Sequence, residues 1–274
     1  MVAVALAAIA VVTYAKPPKG TRARDYRAGA SGPGSYRTGA LLFIRAEHNR
    51  EMQGPIRIYM LASQISISSQ VENRIIDTAT EHAQRARENL GISWSVSITI
   101  YPNEKWAVPE TGEGGYTPSA DWSQIYLDLT GTKHSVEQVV SERLPTAIYH
   151  EMNHLKRWRT VGYGSDLESA LVSEGLASVY ERTMFPTYCV PWLNYSQQDV
   201  DTLLSIIHEH KKGSIPYVHS NWFFGTNPNI PKWLGYTVGH YIVSQALEKN
   251  THLRLIDMME KSAFEILRAS SVEL

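Results

Sequence analysis

The chain has 274 residues, 43% hydrophobic and 19% charged, which is enough apolar material for a core of its own in one domain or two small ones. Lys plus Arg number 26 against 27 Asp plus Glu, a formal net charge of -1, so the broad basic face of a nucleic-acid binder is not expected. Cys189 is the single cysteine, which excludes an intrachain disulfide and a cysteine-built metal site.

The chain opens with MVAVALAAIAVVTYA (1–15), an apolar run shorter than the ~20 residues a membrane-spanning helix needs. Its length suits a signal h-region or a membrane-proximal segment, and exported or membrane-associated protein is the expectation. A buried strand or helix of the fold is the competing reading. No positively charged stretch precedes it, and no later segment reads as transmembrane. Residues 16–40 are rich in Gly, Pro and Arg without a period and read as a flexible linker. The remainder, 41–274, reads as one domain with a sheet-bearing part over 41–160 and a helical part over 161–274.

Strand-like runs appear at LLFIRA (41–46) and PIRIYMLA (55–62). Residues 69–90 carry an apolar stripe of Val71, Ile75, Ile76, Ala79, Ala83 and Ala86, which predicts a helix stopped by Gly91. SWSVSITIYP (93–102) alternates as a strand does. GEGGYTPS (112–119) reads as a loop, and WSQIYLDL (122–129) as a further strand. From Ser135 the period turns helical, through 135–158, 166–183, 199–210, 231–250 and one or two helices in 251–269. Strands first and helices afterwards predict an α+β fold, with a small mixed sheet in the N-terminal half and a helical C-terminal half.

At the junction stands HEMNH (150–154). Positions i and i+4 lie on one face of a helix, so His150 and His154 can turn both imidazoles to one ion. Glu151, ~100° around the helix, lies beside that ion and can take a proton from its water without being a ligand. Two histidines are too few for a catalytic zinc, which wants three protein ligands and an open position. Three glutamates follow in DLESALVSEGLASVYE: Glu168, Glu174 and Glu181. Glu174, beside Val172, Gly175, Leu176 and Ala177, has the least polar surroundings, and a carboxylate is costly to bury unless paired or metal-bound. Glu181 shares its helical face seven residues on and is the rival; Glu168 sits at the polar start of the helix.

HEMNH followed by LVSEGLASVYE resembles the predicted zinc-dependent proteases of a bacterial domain family long labelled as of unknown function. More broadly it is similar to the gluzincins, the thermolysin-like metallopeptidases. The resemblance spans roughly residues 95–245. It implies a zincin-like fold, Zn2+ held by His150, His154 and Glu174, Glu151 as general base, and a peptide or protein substrate. The Asp or Asn that in such enzymes follows the third ligand and orients a zinc histidine is missing; Ser178 stands four residues on instead.

Tyr236 and His240, again four apart, are similar to the later-helix tyrosine or histidine that thermolysin-like enzymes place over the metal, which makes them candidates for steadying an oxyanion. Packing in the core is the plainer role for both. GEGGYTP followed by WSQIYLDL also suits an exposed edge strand for an extended peptide, with Gly114, Gly115 and Tyr116 shaping its rim. The competing reading is a glycine turn before an internal strand. His134, His208, His210 and His219 read as surface or packing residues and Cys189 as a structural thiol. GYGSD at 162 lacks the lysine of a phosphate loop. The rival functions are a non-enzymatic zinc-stabilised binding domain and a zinc hydrolase of a non-peptide amide or ester.

Overall fold

In the computed structural model, residues 54–61, 66–212 and 216–274 are described, all within the compact unit Leu41–Leu274. The expected signal or membrane-proximal segment, the linker and the strand at 41–46 lie outside these residues. Among the described residues no helix is long and apolar enough to cross a membrane.

Four strands form one sheet in the order β1-β2-β4-β3. They are β1 (Ile56–Met60), β2 (Val96–Pro102), β3 (Glu113–Ser119) and β4 (Trp122–Leu127). β1 and β4 run parallel to β2, while β3 pairs antiparallel with β4 as an edge strand. The period-2 pattern buries Ile56, Ile58 and Met60 of β1, Val96, Ile98 and Ile100 of β2, and Ile125 and Leu127 of β4. Between β1 and β2 runs α1 (Ser69–Leu90), capped at its start by Ser68, which accepts from Val71 N–H, and ended by Gly91 at φ 62°.

One stretch departs from its sequence reading. GEGGYTPS, expected as a loop, is β3 over Glu113–Ser119 and forms the edge, while WSQIYLDL is internal, as the competing reading had it. Adjacent glycines weaken intrinsic strand preference, so the residues alone argue for a turn; pairing with β4 overrides it. The register shifts between Tyr116 and Ser119, and this irregularity carries Thr117, which is buried toward the helices.

After β4 the chain enters a helical turn, α2 (Val136–Gln138), with a capping box of Ser135 and Gln138. A π-turn over Val139–Arg143 then leads into α3 (Leu144–Thr160). Pro145 falls in the first turn of α3, where its missing N–H costs little. α1 and α3 cover the buried face of the sheet through Ile75, Ala79, Ala83, Leu144, Ile148, Met152 and Leu155. The rest is helical: α4 (Leu167–Met184), α5 (Gln197–Lys212), α6 (His219–Phe223), α7 (Leu234–Lys249), α8 (Leu255–Met258) and α9 (Ala263–Ser270). The expected helix from Pro231 starts instead at Leu234, behind Trp233 at φ 69°. Leu171, Leu176, Phe223, Leu234, Val238, Ile242 and Ile266 join these helices in a second core. The α+β reading, sheet first and helices after, describes this architecture.

α4 and α7 touch backbone to backbone. A Cβ on Gly175 would lie 2.1 Å from the Gly239 carbonyl oxygen, and one on Gly239 would lie 2.2 Å from that of Leu171. The glycine that weakens α4 locally is therefore what lets α7 approach. Gly175→Ala or Gly239→Ala should cost about 1–3 kcal/mol by overpacking, read as a lowered midpoint in urea denaturation; an unchanged midpoint would contradict this contact.

Candidate metal centre

His150 and His154 project from one face of α3, with ring centroids 4.8 Å apart. α4 lies alongside and brings Glu174, 3% exposed, to both of them. Its Oε2 is 3.0 Å from His150 Nε2 and 3.4 Å from His154 Nε2. Tetrahedral zinc with bonds of ~2.0–2.1 Å needs donor atoms roughly 3.3–3.4 Å apart, so two imidazole nitrogens and this oxygen fit the ion in chemistry, and the two distances to Glu174 Oε2 lie near that spacing. His154 Nδ1 is buried without a hydrogen-bond partner.

The electrostatics agree with a pair held ready. Burial opposes a charged His150, but the Glu174 and Glu181 carboxylates outweigh it and raise its pKa well above the ordinary 6.5. For Glu174, burial pushes upward, but the His154 charge and the hydrogen bonds from both histidines win and hold it well below 4.5. Zinc would take the place of the proton between these groups.

The three downstream glutamates are sorted by what each meets. Glu174 faces both Nε2 atoms. Glu181, two turns on, has Oε2 at 2.8 Å from His150 Nδ1. It therefore has the geometry to orient that ring, where the sequence reading weighed it only as a rival ligand and left the orienting partner open. Glu168 pairs with Lys211 Nζ at 2.6 Å at the outer end of α4.

Glu151 clusters with the two histidines, their donor atoms lying within 4.8 Å of one another. Its carboxylate is nevertheless tied elsewhere: Oε2 accepts from Thr117 Oγ1 at 2.5 Å. Thr117 is in turn fixed by Ser123 Oγ at 2.7 Å, and its carbonyl accepts Trp158 Nε1–H at 2.8 Å. β3 runs so close that a Cβ on Gly115 would lie 2.1 Å from Glu151 Oε1. Glu174, unlike Glu151, thus turns one oxygen to both histidine Nε2 atoms. Burial raises the Glu151 pKa against the pull of His154 and His150, which suits a proton acceptor.

Tyr236 and His240 part company. The Tyr236 ring is 6.3 Å from that of His150, and burial with nearby Glu174 keeps its phenol protonated. His240 Nδ1 is 2.6 Å from the Tyr195 hydroxyl, and burial, with the charge of Arg182, lowers its pKa to about 4. Of these two, Tyr236 is the one that packs against the histidine pair.

Residues not anticipated complete the surroundings. The Tyr163 hydroxyl donates to Glu174 Oε1. His219 stacks on Phe223 at 4.2 Å, meets Tyr217 OH through Nδ1 at 2.7 Å, and lies 6.4 Å from the Tyr163 ring. A tyrosine between two glycines, Gly162-Tyr163-Gly164, was the signal available for the first. For His219, no helical partner in sequence pointed inward.

A family model described as "Predicted Zn-dependent protease (DUF2268)" matches residues 75–268. The chain belongs to this family. Its His150–Glu151–His154 cluster, consistent with an HExxH-type site, lies within the matched residues, as does Glu174. Among solved structures, an aminopeptidase N family protein from Idiomarina loihiensis is similar at 13% identity and a TM-score of 0.41. The match covers 83% of this chain and 42% of that one, so the chain spans less than half the length of that protein. No curated protein matches the chain.

Two outcomes follow from the histidine environment. Glu181→Gln should lower zinc affinity about 10–100-fold, as loss of a ligand-orienting partner does, read by competition with a chelating dye. In metal-free protein, the raised His150 pKa contributes stability that is complete below 6.5 and lost as pH climbs through its folded value. The depressed Glu174 pKa contributes above 4.5 and is lost on acidification. Chelator-treated protein should thus lose Tm on going alkaline of 6.5, and His150→Gln should flatten that slope; equal slopes would remove the ion pair.

Proposed function

We propose that this protein is a zinc metallopeptidase of zincin-like, gluzincin type, acting on peptide or protein substrates. The observation that carries the reading is the division of labour between two buried glutamates. Glu174 turns one oxygen to both histidines, while Glu151 is drawn by Thr117 toward the edge strand. His150, His154 and Glu174 would hold Zn2+, which polarises a carbonyl and makes water a nucleophile near neutral pH.

The chain's own groups supply the rest. Thr117 occupies Glu151 Oε2, leaving Oε1 to accept the proton of the attacking water and deliver it to the leaving amine. The raised pKa of Glu151 brings its basicity closer to that exchange. Tyr236, kept protonated beside His150, is a donor for the tetrahedral oxygen. His240, the second candidate, would act indirectly, through its contact with Tyr195. β3 is an edge strand whose Gly115 and Tyr116 are exposed, so an extended peptide can add to the sheet by main-chain hydrogen bonds beside Glu151. Peptide recognition of this kind supports a peptide substrate over a small ester.

Glu151→Gln should retain about one equivalent of zinc and lose peptide hydrolysis by roughly 10²–10⁴-fold, measured by metal analysis beside a peptide-library digestion. Full activity in that variant would sink the role of Glu151. Gly115→Ala should act on the same carboxylate from the strand side, lowering kcat with zinc content unchanged.

A further inference from the structure

The two oxygens of Glu174 are used differently. Oε2 faces His150 Nε2 and His154 Nε2, whereas Oε1 accepts the Tyr163 hydroxyl. Tyr163 lies on the connection from α3 to α4, between Gly162 at φ 80° and Gly164 at φ 88°. Both values favour glycine, and side chains other than glycine's are strained there. A Cβ on Gly164 would also lie 2.2 Å from Ser169 Cβ, so the connection is held tightly against α4. This turn folds the phenol ring back between the helices, 5.2 Å from the His154 ring and 6.3 Å from Trp158.

We propose that Tyr163 is a positioning residue of the metal centre: by occupying Glu174 Oε1 it restricts that carboxylate to ligation through Oε2 alone. The proposal rests on the reading of His150, His154 and Glu174 as ligands. A carboxylate can bind a metal through one oxygen or both. Binding through both would supply a fourth protein donor and fill the position that a catalytic zinc keeps open. A donor fixed on Oε1 prevents this in two ways. It engages one lone pair of that oxygen, and it sets the carboxylate plane so that Oε2 leads toward the histidines. A tyrosine phenol is protonated near neutral pH, so Tyr163 is a donor to Oε1. Moving Glu174 to two-oxygen ligation would leave a half-buried hydroxyl without its acceptor, which is costly.

Cobalt(II) in place of zinc reads the coordination directly, because its visible d–d absorption weakens as coordination number rises. Wild-type protein loaded with cobalt is expected to show the intense bands of a low-coordinate ion. Tyr163→Phe should show bands at least two-fold weaker. Its zinc-loaded form should lose about 10–100-fold in kcat with KM little changed. Tyr163→His keeps a donor and should return toward the wild-type spectrum; it also keeps the test readable if the phenylalanine variant does not fold. Superimposable cobalt spectra for wild type and Tyr163→Phe, or for wild type and a Tyr163→Ala variant used in its stead, would overturn the proposal whatever happens to kcat. Failure of the wild type to bind cobalt or zinc would instead overturn the ligand assignment beneath it. Cobalt bands that respond to Tyr163 in a protein that cleaves no peptide would uphold this inference while removing the peptidase reading.

Discussion

A single carboxylate oxygen, Glu174 Oε2, lies within 3.4 Å of two imidazole nitrogens from the neighbouring helix, and much of the surrounding structure serves to keep it there. An ionised glutamate 3% exposed is tolerable only when its charge is met by opposite charge, hydrogen bonds or a metal. Several nearby polar groups answer to that requirement or are kept clear of it. His150 is held from its far nitrogen by Glu181, the second Glu174 oxygen is taken by Tyr163, and Glu151 is drawn aside by Thr117. Three carboxylates sit close to two histidines without competing for one place, because Glu174 meets the two Nε2 atoms, Glu181 meets His150 Nδ1, and Glu151 is tied to Thr117.

Packing sets this arrangement as much as charge does. α4 is pressed between α3 on its polar side and α7 on its apolar side, and α7 reaches it only because Gly175 and Gly239 have no side chains. On the other flank β3 ends the sheet against α3, and the glycine at 115 leaves space for the Glu151 carboxylate. The centre therefore lies where the sheet-based core and the helical core meet. An edge strand and the aromatic ring of Tyr236 stand on either side of it.

Much of this was legible in order along the chain. The stripe in 69–90 and the alternation in β2 predicted their elements because each has one wet and one buried face. HEMNH placed two histidines on one helical face by geometry alone, and the apolar surroundings of Glu174 marked it as a carboxylate needing a partner. β3 was not legible, since two consecutive glycines carry a turn signal that only pairing with β4 overrides. Thr117 was hidden for the same reason: its inward direction comes from the register shift beside it. Glu181 had the right face but an undefined partner, because helical spacing tells which residues align and not which nitrogen of a facing histidine each will reach.

The sequence by itself determined the α+β order of elements and the histidine pair with its adjacent glutamate, because these follow from local period and spacing; the apolar neighbours of Glu174 made it the candidate third ligand. Tertiary structure alone decided how the remaining groups were distributed. It set Tyr236 beside His150 and His240 beside Tyr195, although the two are one turn apart on the same helix. It also folded Tyr163 onto Glu174 and turned His219 toward the same space. These contacts join residues from separate elements, and their geometry depends on the distance at which helices and strand pack. That distance is set by side-chain volume across the interface, at Gly115, Gly175 and Gly239 above all, and no short stretch of chain encodes it.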